Sequence, residues 1–331
     1  MRSPIRLMRV VEHNMEPRHD SVLVKEVLGA LRAAPSDTVI DATLGGAVHF
    51  KELLAALGEG GIIVGIDADP AAVERAREAY ARDRRPERPV AHLVNDNFRN
   101  LARILERLGI GGADAIFFDL GWSGYQIAAP RGFSFGEDQP LLMTYGENGQ
   151  TAADIVNSAS EEEIADILFT YGEEQFARPI ARAIVAARAK ARILTTGALV
   201  AAVEAGTPHW YQKGKTHPAT KTFQALRIAA NDEIGALREG LAAALRALSS
   251  GGRLAVISFH SIEDRVVKNM LRDAVHEGLG SLSPKKPLIP PRAEVLANRR
   301  ARSAKLRVFE RALAAPCAEP VGSAGILFSY V

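Results

Sequence analysis

Cysteine is almost missing: among 331 residues there is one, Cys317. No disulfide can form within the chain and no thiolate cluster can hold a metal, so no metal site is expected. Hydrophobic runs near the roughly 18 residues that cross a bilayer are also missing, and no membrane partner is expected. Arg2, Arg6 and Arg9 open the chain with no acid among them, but the apolar core of a secretory signal does not follow. Residues 1–18 are expected to form a flexible extension. Aromatic side chains are sparse, at 6% with two tryptophans, and the formal net charge is only +2, too small to announce a nucleic-acid partner. A reducing, cytoplasmic location is the natural expectation.

What is present is a chain with 47% hydrophobic and 24% charged residues, enough to bury a core in one large domain with an insertion, or in two domains. Its charge is uneven. Lys285 to Arg311 carries nine Lys or Arg against two acids, Glu294 and Glu310. Such a segment neutralises phosphates or is a solvated tail, and charge alone does not choose.

Apolar spacing over 21–34 predicts a helix that Pro35 ends. A short β-rich run, Thr38–Thr43, stops at Gly45–Gly46. A helix over 49–57, a strand over 62–67, a helix opened by Pro70 and a strand near 90–94 follow. The helix predicted over 97–108 leads into DAIFFDL at 114–120, the unbroken apolar run of a strand buried on both faces. Strands alternating with helices at this spacing predict an α/β fold with a Rossmann-like, doubly wound parallel sheet.

The alternation breaks at 121–150, a stretch rich in Gly, Pro and aromatics, and 151–206 reads as consecutive helices. After polar residues 207–217, one long helix is predicted to about Leu248, and Gly251–Gly252 turn it into a strand over 253–259. The expected organisation is one α/β domain, 19–126 and 215–331, interrupted by an inserted small helical domain, 127–214.

Ligands of open parallel sheets bind at the carboxyl ends of the strands. Those ends read Asp41-Ala-Thr-Leu-Gly-Gly, then Asp67, then Asp96-Asn97-Phe98, then Asp119-Leu120-Gly121. A carboxylate closing the second strand is placed to accept hydrogen bonds from two ribose hydroxyls. The turn lacks the full G-x-G-x-x-G spacing, which argues against a nicotinamide cofactor. Tight turns and helix caps account for the same residues.

Longer motifs decide the class. Asp41–Gly46 (DATLGG), Gly132–Phe135 (GFSF), His217–Ile228 (HPATKTFQALRI), Ser258–Arg265 (SFHSIEDR) and Ala301–Arg307 (ARSAKLR) together resemble the bacterial 16S rRNA (cytosine-N4)-methyltransferase family. The resemblance runs from about His19 to Arg311. It implies S-adenosylmethionine as cofactor and, as target, the N4 amine of a cytidine in the decoding region of 16S rRNA in the small ribosomal subunit. It also implies that the helical insertion recognises RNA. Cofactor contacts fall on the loop Gly45, Gly46, Ala47, Val48 and His49, on Asp67 at the ribose, and on Phe98 at the adenine. Asp119 and Gln126 lie towards the methionine end.

The sulfonium methyl is already activated, so catalysis is mostly alignment. The cytosine amine is a poor nucleophile, and an acceptor beside it favours the developing cation. Asp119 is the candidate for that electrostatic role; holding the cofactor's amino group is its other reading. The base must leave its stack, which calls for aromatics: Trp122, Tyr125, Phe133 and Phe135 supply them, or else pack the two domains together. His260 and Glu263–Asp264 orient the base or cap a helix. Lys221, Arg227, Arg302 and the basic tail are expected phosphate contacts.

Two departures from the family pattern bear on activity. Ala47 and Val48 replace glycines, and a positive φ at Val48 would cost about 1–2 kcal/mol. Leu142 and Thr144 replace an acid and a base. They motivate an alternative: a catalytically impaired relative that binds rRNA or S-adenosylmethionine without transfer.

Overall fold

The computed structural model describes residues 21–121, 130–145 and 149–314. The extension at 1–18, Trp122, Tyr125, Gln126 and Cys317 lie outside the described residues.

Helix α1 (Val24–Leu31) precedes a run of alternating elements: β1 (Thr38–Asp41), α2 (Val48–Ala56), β2 (Ile62–Asp67), α3 (Pro70–Arg82), β3 (Val90–Asn95), a 3₁₀ turn (Phe98–Asn100), α4 (Leu101–Leu108) and β4 (Ala113–Asp119). The alternation has clear local causes. Pro70 sits in the first turn of α3 with Asp69 as N-cap, its carboxylate accepting from the Ala71 amide at 3.0 Å. Gly109, at φ 69°, ends α4 as a left-handed cap.

A second series follows: α5 (Ala152–Ser158), α6 (Glu161–Gly172), α7 (Ala177–Arg188), α8 (Thr196–Ala205), the single turn α9 (His209–Gln212), α10 (Thr220–Asn231) and α11 (Glu233–Ala247). Thr151 with Asp154, and Ser160 with Glu163, form capping boxes that start α5 and α6. The sheet then resumes with β5 (Leu248–Ser258), α12 (Ser261–His276), β6 (Gly280–Leu282), α13 (Arg292–Ala297) and β7 (Lys305–Arg311).

Seven strands form one sheet in the order β3-β2-β1-β4-β5-β7-β6. β1 to β5 pair in parallel, and β7 runs antiparallel to both β5 and β6. Period-two alternation divides the apolar residues between its faces. Val39, Ile63, Ala115 and Phe117 pack with α1, α2 and α3, whereas Ile40, Val64, Ile116 and Phe118 pack with α4, α11 and α12. Each such fully buried Val, Ile or Phe contributes about 1.5–3 kcal/mol. A third core gathers Leu141, Ile155, Ile164, Leu168, Ile180, Ile184, Leu199 and Leu226 from the helical series.

Three expectations are corrected. The long helix to Leu248 is two helices, because Asp232 is left-handed, φ 45°, and breaks the hydrogen-bond ladder. A Cβ on Gly235 would lie 2.5 Å from the Asp232 carboxylate, so a larger residue there would make that side chain swing aside. β5 begins at Leu248 rather than Arg253, with a register irregularity opposite Ala113/Ala115. The basic tail is not a solvated or phosphate-facing strip throughout. Its end is β7, with Leu306, Val308 and Phe309 buried, Arg307 buried, and Lys305 and Arg307 paired to Asp264 at 2.9 and 2.7 Å.

Candidate active site

Strand order reverses between β1 and β4, and such a switch point opens a crevice at the carboxyl ends. The loop after β1 forms its floor. Gly45 and Ala47 are both left-handed, at φ 48° and 58°. The Gly45 amide donates to Asp67 Oδ2 at 2.9 Å, while Arg75 Nε and Nη2 donate to the Gly45 carbonyl at 3.1 and 3.0 Å. A Cβ on Gly65 would lie 2.7 Å from the Leu44 side chain, so the loop's seat on β2 depends on that glycine. The strain expected at Val48 falls on Ala47 instead. Val48 is the first residue of α2 and has no positive φ.

The cleft is lined by Gly45, His49, Asp67, Phe98 and Asp119, together with Tyr145, Asn231 and Glu233. Gly46, Ala47 and Val48 do not line it; Ala47 is fully buried behind the loop. Burial pushes Asp67 up to about 6, against the Gly45 and Asp69 amides that favour its charged form. Phe98 stands edge-on to Phe118 at 5.5 Å, and a Cβ on Gly240 of α11 would come 2.7 Å from its ring. His49 Nδ1 lies 3.5 Å from Asp119 Oδ2, and its Nε2 is 3.2 Å from the Val22 carbonyl. Asp119 Oδ1 is buried without a hydrogen-bond partner among the described residues. Burial first, and then the Glu263 carboxylate, push Asp119 up to about 7.

A second pocket opens on the other side of Asp119. It shares Asp119, Gly121, Phe259 and Glu263 with the cleft and adds Phe133, Phe135, Phe223 and His260. Phe133 stacks on Tyr145 at 5.6 Å, and Phe135 on His217 at 4.5 Å. His260 caps α12, its Nδ1 accepting from the Glu263 amide at 3.3 Å, and faces the pocket as well. Its Nε2 lies 3.0 Å from Glu263 Oε1. Burial raises the Glu263 carboxyl, but His260 and then Arg227 outweigh it and hold the group below its usual value. Of its two sequence readings, His260 takes the capping one, and it also lies on the pocket wall.

Arg227 is corrected. It is buried and donates to both oxygens of Glu233 at 2.8 Å, so it is an internal ion pair and not a phosphate contact. Tyr145 donates to the same carboxylate at 2.7 Å. Carboxylates of Glu233 and Glu263 converge with His260 as cation ligands would, within 4.8 Å, but the guanidinium on Glu233 already supplies positive charge there. Lys221 Nζ donates to the Glu173 carbonyl at 2.8 Å, and Arg302 lies in a shallow groove beside His260; neither lines the cleft or the aromatic pocket. Tyr145, Asn231 and Glu233 were missed. For Asn231 and Glu233 the signal was the polar run Asn231-Asp232-Glu233 inside an apolar helix pattern, where Asn231 Nδ2 holds the Met143 carbonyl at 2.6 Å; Tyr145 had none. Leu142 and Thr144 flank Met143, itself left-handed at φ 56°, and Thr144 is buried.

A doubly wound sheet with acids at the ends of β1, β2 and β4, and two pockets meeting at Asp119 and Glu263, is the layout of an enzyme that sets a nucleoside-bearing cofactor against a second substrate. Sequence profiles agree: that of the MraW methylase family matches residues 16–312. The ribosomal RNA small subunit methyltransferase H of Deinococcus radiodurans is 47% identical over 301 residues, 89% of this chain and 90% of that protein. The protein of that name from Brevibacillus brevis is 41% identical over 312 residues, 88% of this chain and 98% of its own. A crystal structure described as a putative rRNA-methylase from Clostridium thermocellum aligns over 89% of this chain and 98% of its own, with a TM-score of 0.43 and 12% identity. The chain belongs to the MraW methylase family.

The residues present fit S-adenosylmethionine. Asp67 ends β2 with its carboxylate on the loop that faces the cleft, Phe98 offers a ring wall, and the orphaned Asp119 oxygen offers a negative group to a cation. Among the described residues, no helix is long and apolar enough to cross a membrane.

Proposed function

We propose that this chain transfers a methyl group from S-adenosylmethionine to the exocyclic N4 amine of a cytidine in the decoding region of 16S rRNA, within the small ribosomal subunit and in the cytoplasm. The observation that carries it is the meeting of the cleft and the aromatic pocket at Asp119 and Glu263, in a chain whose relatives are named for small-subunit rRNA methylation.

The cofactor supplies an activated methyl group on sulfur; the chain supplies placement. Asp67 accepts the ribose hydroxyls, Phe98 packs on the adenine, and Gly45 with His49 bounds the loop side, with Gly46, Ala47 and Val48 setting the loop's path. Phe133 and Phe135 hold the flipped base in the aromatic pocket, with His260 on its wall. Asp119 Oδ1 accepts a hydrogen bond from the target amine and then its proton, a role suited to a carboxylate poised near neutrality. The ionised Glu263 adds negative potential where positive charge develops. Lys221 and Arg302, outside both pockets, contact phosphates and position the strand. The helical unit at 127–214 recognises the RNA. Trp122 and Gln126 belong to the same reading and lie outside the described residues.

The test is to incubate the protein with methyl-labelled S-adenosylmethionine and unmethylated small subunits, digest the RNA and identify the nucleoside. N4-methylcytidine at a single position is expected. No transfer, with cofactor binding measured separately, would favour the impaired relative and direct attention to Leu142 and Thr144.

A further inference from the structure

Trp210 is 66% exposed, yet it is held firmly. It stands on the single turn α9, edge-on to Phe176 at 5.7 Å and to Tyr211 at 5.9 Å. Tyr211 packs against Phe176 at 4.9 Å and donates to Glu174 Oε2 at 2.8 Å. The indole therefore has fixed support and an open face, the form a base-stacking platform takes.

The surroundings say what covers it. No Asp or Glu occurs from Thr207 to Asn231, while His209, Lys213, Lys215 and His217 are all exposed. Glu173 and Glu174, next to Phe176 in sequence, are already engaged, Glu173 with Arg265 and Ser261 and Glu174 with Tyr211. Glu204, exposed at the end of α8, marks the boundary. This strip leads to the aromatic pocket. His217 stacks on Phe135, which lines the pocket, and Thr220 and Gln224 line it too. A docking face for another protein mixes charges around an apolar centre. A rigidly supported, exposed aromatic beside two exposed lysines matches a strand with π faces and phosphates.

We infer that the segment from His209 to Lys221 is a track for single-stranded RNA leading to the target pocket, with Trp210 stacking on a base that flanks the methylated one and Lys213 and Lys215 taking its phosphates. The inference rests on the proposed RNA substrate and extends it beyond the pocket.

It is tested with a fluorescently labelled, unstructured RNA of roughly 12 nucleotides, by anisotropy, with S-adenosylmethionine affinity as the control for folding. Trp210→Ala weakens RNA binding between about fivefold and a hundredfold, as loss of one stacked base does, and leaves cofactor affinity unchanged. Trp210→Phe keeps most of the affinity. Lys213→Ala with Lys215→Ala flattens the dependence of log affinity on log salt by about 1.4, two single-strand phosphate contacts. RNA affinity unchanged in Trp210→Ala overturns the inference, as does a wild-type chain that does not bind the RNA. If wild type methylates small subunits while Trp210→Ala binds RNA normally, the track fails and the proposed function stands. RNA binding through Trp210 without methyl transfer to subunits leaves the track standing and refutes the proposed target.

Discussion

Asp119 sits where two demands conflict. As a buried acid it is raised from the usual 3.8 to about 7, by burial and by Glu263. The folded protein then holds this proton more tightly than the unfolded chain, so stability is fullest below about pH 4 and is lost as pH rises towards 7. Asp119→Asn removes that dependence. At pH 8 the variant is expected to be more stable than wild type by up to about 4 kcal/mol, with the gap closing towards pH 4, while methyl transfer falls. Urea unfolding at both pH values checks it; a gap that does not grow with pH would show that the carboxylate has a compensating partner. Strand-end acids such as Asp67 and Asp119 were legible because each closes an apolar run. The role of Arg227 was not, because an arginine bound for burial reads like a surface base until its partner, six residues on, is folded against it. Nor could loop composition decide whether Ala47 or Val48 takes the positive φ, since that depends on the residue at which α2 begins.

At the scale of elements, α10 and α11 are joined by one left-handed residue and clasped by Arg227, Glu233 and Tyr145. The clasp ties the 130–145 loop to both helices, because Asn231 Oδ1 also accepts from the Tyr145 amide at 2.9 Å. Glu233→Ala leaves a buried guanidinium without its bidentate partner, with only the more distant Glu263 as counter-charge, and is expected to cost about 3 kcal/mol. Denaturant midpoints check this; a loss under about 1 kcal/mol would mean that water reaches Arg227. Strands and helices up to β4 followed from hydrophobic period and turn residues. Two features escaped. The Asp232 break lies within a continuous helical pattern, and β7 was masked because its alternation, Lys305-Leu-Arg-Val-Phe, sits in a segment whose charge dominated its reading.

At the scale of the whole molecule, α/β class was readable from alternation, but strand order was not, since pairing of β4 with β5 and insertion of β7 before β6 are long-range choices. The cleft takes Gly45, Asp67 and Asp119 from the sheet, and Tyr145, Asn231 and Glu233 from the helical side. S-adenosylmethionine at a hundred times its dissociation constant is expected to stabilise the protein by about 2.7 kcal/mol. Hydrogen exchange should slow on both sides. Slowing confined to the sheet would show that the helical side does not close on the cofactor.

The separation of β4 from β5 also sets a schedule during synthesis. Strands β1 to β4 are complete by Asp119, but their next neighbour starts only at Leu248, about 130 residues later. At roughly 5–20 residues per second, the ribosome needs about 6–26 s to deliver it. Throughout that interval Ile116, Phe117 and Phe118 belong to an open parallel edge, the kind that recruits other chains. The nascent protein therefore passes through one prolonged window of aggregation risk, and it ends only when the last part of the helical series has left the exit tunnel and β5 can follow.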